Sequence, residues 1–172
     1  MPDLPPVLTF HFKDDGIIPN HPSLPLVVYK QAVPLRQPDP GAEFERLFAG
    51  NSWRAAWRWG VYDFPHYHST AHEVLGVFRG TATLQVGGAQ GVRLVVEAGD
   101  AIVIPAGVGH QNLGCSADFQ VVGGYPLGQT ADLCRGLPGE RPPVIDHIVR
   151  VPLPAGDPLF GANGPLREHW RA

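Results

Sequence analysis

The sequence predicts an all-β fold, on three observations. Twenty-one glycines and nineteen prolines in 172 residues suit a chain of many turns better than a helical bundle. Between residues 53 and 126, period-two alternation and short apolar runs recur between turn signals. Only one stretch, residues 39–50, carries a helix's start, stop and apolar spacing. At this length one domain spanning 1–172 is expected, with enough chain to bury a core.

Residues 1–8 are proline-rich and read as irregular. Residues 9–13 read as a short strand with Phe10 and Phe12 on one face, closed by the turn Asp14-Asp15-Gly16. Residues 26–30 read as a second strand, and His21, between Asn20 and Pro22, as a surface loop residue. The helix over 39–50 has Asp39 as its cap, Pro40 at its first position and Gly50 at its stop. Phe44, Leu47 and Phe48 form its apolar stripe, which is expected to pack on the outside of the β-structure. Residues 53–59 alternate, which sets Trp53, Ala55, Trp57 and Trp59 on one face and Arg54, Ala56 and Arg58 on the other. Those arginines are assigned to a solvated face; turned inward, they would meet an acidic substrate.

Strands follow at 74–78, 81–86 and 92–96, the last two joined across the glycine-rich residues 87–91. Residues 101–104 form a buried strand, and residues 105–109 a loop that delivers His110. Residues 118–124 return as a strand whose Gly123-Gly124 pair marks a bend or a close approach. Residues 144–151 read as one further strand. The tail, 157–170, is too apolar for disorder and is expected to pack on the barrel or on a neighbouring subunit. His147 and His169 have no partners at ligand spacing and read as structural.

The chemistry gathers in residues 60–80. His66 and His68 are two apart, so in a strand both imidazoles leave by one face, while Tyr67 leaves by the other. Glu73 follows after a Ser-Thr-Ala break where the chain can turn back, and His110 arrives from the later loop. Imidazoles with one carboxylate are a ligand set for a divalent transition metal. His72 adjoins Glu73, and in a strand only one of the two enters the site easily. Glu73 is the expected ligand; His72 supports the site or lies outside it, and replaces His110 only if the chain bulges.

The spacing Gly60, His66, His68, Glu73, Gly80 resembles the first cupin motif, and Gly99, Pro105, Gly107 and His110 approximate the second. Gly114 stands where an asparagine is usual, and Asn112 lies two residues too early. The resemblance implies a double-stranded β-helix, a jelly-roll-like barrel, with a core at about 53–126. N-terminal strands and a helix (1–52) would precede it and an extension (127–172) follow. It further implies a metal in the barrel mouth held by His66, His68, Glu73 and His110, the ion being iron, zinc, manganese or nickel. It runs closest to small bacterial single-domain cupins of unassigned function, which commonly pair, and so implies a homodimer. Three functions are expected in turn: a metal-dependent enzyme on a small organic molecule, dioxygenase-like if the ion is iron; a non-catalytic module that binds or senses a small molecule; and a metal-dependent isomerase or lyase on a sugar or acid.

Other classes are disfavoured. A net charge of −3 and scattered arginines give no electrostatic case for nucleic acid or an anionic membrane. No run of eighteen apolar residues spans a bilayer, and no leader pattern opens the chain. Two cysteines, Cys115 and Cys134, make no disulfide scaffold, so a reducing cytoplasm is expected. Neither a dinucleotide-binding glycine fingerprint nor a G-x-S-x-G elbow is present.

Overall fold

The computed structural model describes residues 3–171; Met1 and Pro2 of the expected irregular opening lie outside them. Two antiparallel sheets face each other. The larger contains β1 (Val7–Phe10), β2 (Leu26–Tyr29), β3 (Trp53–Trp59), β4 (Glu73–Arg79), β7 (Ala101–Ile104) and β9 (Gln120–Pro126), in the order β1-β2-β7-β4-β9-β3. The smaller contains β5 (Thr81–Val86), β6 (Val92–Glu97) and β8 (His110–Cys115), in the order β6-β5-β8. This is the jelly-roll sandwich that the cupin resemblance implies.

The central strands of the larger sheet are buried on both faces, which is why they read as unbroken apolar runs. Leu26, Val28, Leu75, Val77, Ile102, Ile104 and Val121 point inward and meet Leu84, Val86 and Val96 of the smaller sheet. Their neighbours Val27, Tyr29, Val74, Val103 and Val122 point outward and are covered by α1 (Gly41–Gly50) and by the C-terminal tail. Each fully buried aliphatic side chain contributes on the order of 1.5–3 kcal/mol. The stripe on α1 packs as expected, with Phe44 and Phe48 fully buried. Gly76 makes room for it: a Cβ there would lie 2.3 Å from the Phe44 ring.

The tail packs on the barrel, one of its two expected destinations. The carboxylate of Asp157 is fully buried and accepts hydrogen bonds from the Tyr29 hydroxyl and from the amides of Leu159, Phe160 and Leu166. Trp170 Nε1–H donates to the carbonyl of Pro25 at 2.8 Å, and Trp53 Nε1–H to that of Gly156 at 3.0 Å.

Several expectations are corrected. Residues 144–151 are not a strand: Pro143–Arg150 is a helix, α2. The proline pair at 142–143 suits a helix start, and Val144 and Ile148, four apart, are its buried residues. Val144 packs with Ile18, Tyr67 and Cys134. A third, short helix, α3, runs over Leu166–His169. The first strand lies earlier than expected, though Phe10 and Phe12 do stack, 6.4 Å apart. Asp39 gives α1 no side-chain cap of the expected kind; its carboxylate takes the Arg58 guanidinium at 2.7 and 3.1 Å. The four residues Trp53, Ala55, Trp57 and Trp59 do not share a face. A bulge between Ala55 and Trp57 breaks the alternation, leaving Trp53 and Ala55 in the outer cluster and Trp57 in the inner one.

His21 is buried rather than at the surface, and its Nδ1 accepts the amides of Ser23 and Leu24 at 3.1 and 2.9 Å. Burial lowers its pKa to about 4. The folded value lies below the unfolded one of about 6.5, so the neutral imidazole's contribution is complete above that and is lost as the pH falls through the folded value. His21→Asn keeps an acceptor for both amides but cannot titrate. Denaturant melts from neutral pH down to about 4 should show the wild type losing up to roughly 3 kcal/mol more than the variant. Parallel stability curves would remove His21 as the responsible group.

Candidate metal centre

A backbone bridge builds the centre. His66 and His110 sit opposite each other: the His66 amide donates to the His110 carbonyl at 3.2 Å, and the His110 amide to the His66 carbonyl at 2.9 Å. On either side, Asn112 N–H donates to the Tyr62 carbonyl and Gly107 N–H to that of His68. Residues 62–68 therefore continue the smaller sheet past β8, and Tyr67 bridges onward to Cys134. Alternation then acts as expected. His66 and His68 share the inward face, while Tyr67 turns outward and donates its hydroxyl to Glu140 at 2.7 Å.

The structure brings together all four residues proposed from sequence. His66, His68 and His110 each offer one ring nitrogen within 4.8 Å of the others. Glu73 approaches from the opposite sheet, where it opens β4. Its carboxylate oxygens lie 3.2 Å from His110 Nε2 and 3.5 Å from His68 Nε2. All four side chains are buried.

Backbone carbonyls set the orientation of each imidazole. The Nδ1 atoms of His66, His68 and His110 face the carbonyls of Phe64, Asp132 and Val108, so each carries its proton at Nδ1. Three Nε2 lone pairs are then left pointing at one another and at a carboxylate. That arrangement is repulsive unless a proton or a cation sits among them. His110 Nε2 has no hydrogen-bond partner although it is buried. With only protons to share, the groups respond as crowding demands. Burial, and then the neighbouring His110, holds His66 down to about 3. Burial opposes the charge on His68, but Glu73 overcomes it and raises that imidazole to about 9. Burial likewise opposes ionisation of Glu73, yet His68 and His110 hold its carboxyl below the usual range. The donor set fits a divalent transition metal.

His72 takes no part in the convergence. It accepts the Ala106 amide at Nδ1, 2.9 Å away, and packs its ring 4.7 Å from that of Trp170 under the tail.

Beyond the four, the structure adds Trp57, Tyr125 and Asp132 to the site. A cavity of about 300 Å³ opens over the histidines, and all three line it. Trp57 Nε1–H donates to the Tyr125 hydroxyl at 3.0 Å, and burial with the charge on Glu73 pushes the phenol up, so it keeps its proton. Gly123 is the close approach its glycine pair suggested: a Cβ there would lie 2.2 Å from the Trp57 indole. Asp132 orients His68 through its carbonyl, and its carboxylate is held by the Ser69 amide at 2.6 Å and by the Ser69 hydroxyl. Tyr125 lies two residues beyond Gly123 and shares its strand face, a signal readable in the sequence. Nothing local marks Asp132.

The chain is similar to several known proteins. A family model described as "Cupin domain" matches residues 60–117. The "Uncharacterized protein YjlB" of Bacillus subtilis strain 168 is 45% identical over 162 residues, which cover 94% of this chain and 95% of that protein. Among solved structures, a DUF861 family protein from Thermotoga maritima aligns at 20% identity with a TM-score of 0.32, over 53% of this chain and 96% of that one. The dTDP-6-deoxy-D-glucose-3,5-epimerase RmlC from Legionella pneumophila aligns at 14% identity with a TM-score of 0.37, over 70% and 72%.

Gly123→Ala should press the Trp57 indole out of place. We expect a stability loss of about 1–3 kcal/mol in urea melts and a shifted tryptophan emission. Gly114→Ala, whose added methyl meets nothing within 4 Å, should change neither. Equal melts for the two variants would mean that the indole has room to move.

Proposed function

The chain belongs to the cupin superfamily, and we propose that it is a metal-dependent enzyme acting on a small organic molecule, with His66, His68, Glu73 and His110 holding one divalent transition metal. One observation carries this reading: three buried imidazoles, each with Nδ1 facing a carbonyl, gather beside one buried carboxylate, and His110 Nε2 among them has no hydrogen-bond partner. A binding cleft without a metal has no use for that repulsion.

The protein's own groups then divide the work. Three neutral imidazoles and one carboxylate leave a single net positive charge on a divalent ion, which would polarise an oxygen atom of the substrate. Tyr125 keeps its phenolic proton beside Glu73, its oxygen fixed by Trp57, and can donate a hydrogen bond into the cavity. Leu75, Trp57 and Leu133 give the cavity apolar walls. If the ion is iron, the chemistry is that of a dioxygenase. Cys115 and Cys134 are both free thiols, which suits a reducing cytoplasm. Among the described residues no helix is long and apolar enough to cross a membrane.

Elemental analysis of protein purified without chelator or immobilised nickel should find close to one transition-metal ion per chain. His66→Ala and His110→Ala should lose it, and Glu73→Gln should weaken binding, whereas His72→Asn should retain the ion. Oxygen uptake on addition of substrate identifies an oxygenase, and metal-dependent turnover without oxygen uptake an isomerase or lyase. A stoichiometric metal that survives loss of both His66 and His110 would refute the proposed centre.

A further inference from the structure

We infer, resting on the metal centre proposed above, that this site takes a neutral, flat, unsaturated molecule, such as an aromatic alcohol or a conjugated ketone, and rejects phosphorylated and polycarboxylate compounds. The walls of the cavity carry the argument. Trp57, Trp59, Tyr62 and Tyr125 supply four aromatic rings, and Leu75 and Leu133 add aliphatic surface. Trp57 is locked, pinned over Gly123 and hydrogen-bonded to Tyr125, so it presents a fixed ring to any occupant. Trp59 and Tyr62 pack edge to face at 6.1 Å and stand 67% and 42% exposed at the mouth. Tyr62 in turn sets its ring edge to face with His66 at 5.2 Å. A continuous aromatic path thus runs from solvent to the histidines. Aromatic pairs gain about 0.5–1.5 kcal/mol beyond the area they bury, so this path favours a flat ring over a saturated one of equal size.

Charge points the same way. Among the described residues no lysine or arginine lines the cavity, while the acidic residues Glu73 and Asp132 do. Two arginines rest on aromatic rings instead: Arg54 lies 5.7 Å from the Tyr125 centroid and Arg135 lies 3.9 Å from that of Phe64, and neither lines the cavity. A phosphate or a second carboxylate on the substrate would be desolvated beside Glu73 with no lysine or arginine in the walls to receive it. The cavity, about 300 Å³, is at the small end for ligand sites and limits the occupant to one or two rings.

The test uses paired probes. Metal-free and cobalt-loaded protein are titrated calorimetrically with benzyl alcohol, with cyclohexylmethanol and with glucose 6-phosphate. Benzyl alcohol should bind about fivefold or more tighter than its saturated twin in both forms, and the sugar phosphate should bind more weakly than either. Trp57→Leu and Trp59→Ala should each cut the aromatic preference; Trp59 is exposed, so its variant keeps the test valid if Trp57→Leu fails to fold. No preference for the aromatic probe, a preference unchanged in Trp59→Ala, or sugar phosphate binding as tight as benzyl alcohol would overturn the inference, even with cobalt fully bound. An aromatic preference in protein that takes up no cobalt would support it and refute the metal centre instead.

Discussion

Two reciprocal hydrogen bonds between the backbones of His66 and His110 hold the site together. They fasten residues 62–68 to the edge of β8 and so decide which way three imidazoles point. The same pairing fixes the tautomers indirectly, because each ring reaches a carbonyl of its own neighbourhood: Phe64 for His66 and Val108 for His110. Glu73 then needs only to stand at the head of β4 on the facing sheet. The geometry of the proposed ligands thereby rests on main-chain pairing, which is stiffer than a set of side chains held on loops.

The larger sheet supports this arrangement by being covered twice. One face meets the smaller sheet, the other meets α1 and the tail, and the central strands have no solvated side. Gly76 and Gly123 each accept an aromatic ring where a side chain would otherwise stand, Phe44 outside and Trp57 inside. The bulge in β3 is what sends Trp57 inward while Trp53 stays outside. One extra residue in one strand therefore supplies both an anchor for the tail and a wall for the cavity.

What could be read from the sequence, and what could not, follows from range. His66, His68 and Glu73 were legible because their convergence depends on strand alternation over a few residues, and His110 because its motif spacing is fixed. Tyr67 was correctly turned away by the same rule. Trp57 was set on the wrong face because a bulge leaves no mark in a pattern of alternating residues. Residues 144–151 misled because Val and Ile favour strands, although the prolines at 142 and 143 already marked a helix start. His21 and Asp132 depend on where separate parts of the chain meet. His21 lies 6.3 Å from the His72 ring, and Asp132 answers to Ser69 and His68. No local pattern encodes such meetings.

The anchoring of Asp157 and Trp170 against Tyr29 and Pro25 also ties the last segment of the fold to one of its first strands. Both follow every strand in the sequence, yet the outer face of the larger sheet takes its cover from them as well as from α1. Until this segment docks, Tyr29 and Trp53 lack the hydrogen bonds that Asp157 and Gly156 supply, and their rings are open to other molecules. A chain whose residues 156–170 come loose would therefore keep its strands and expose an aromatic face.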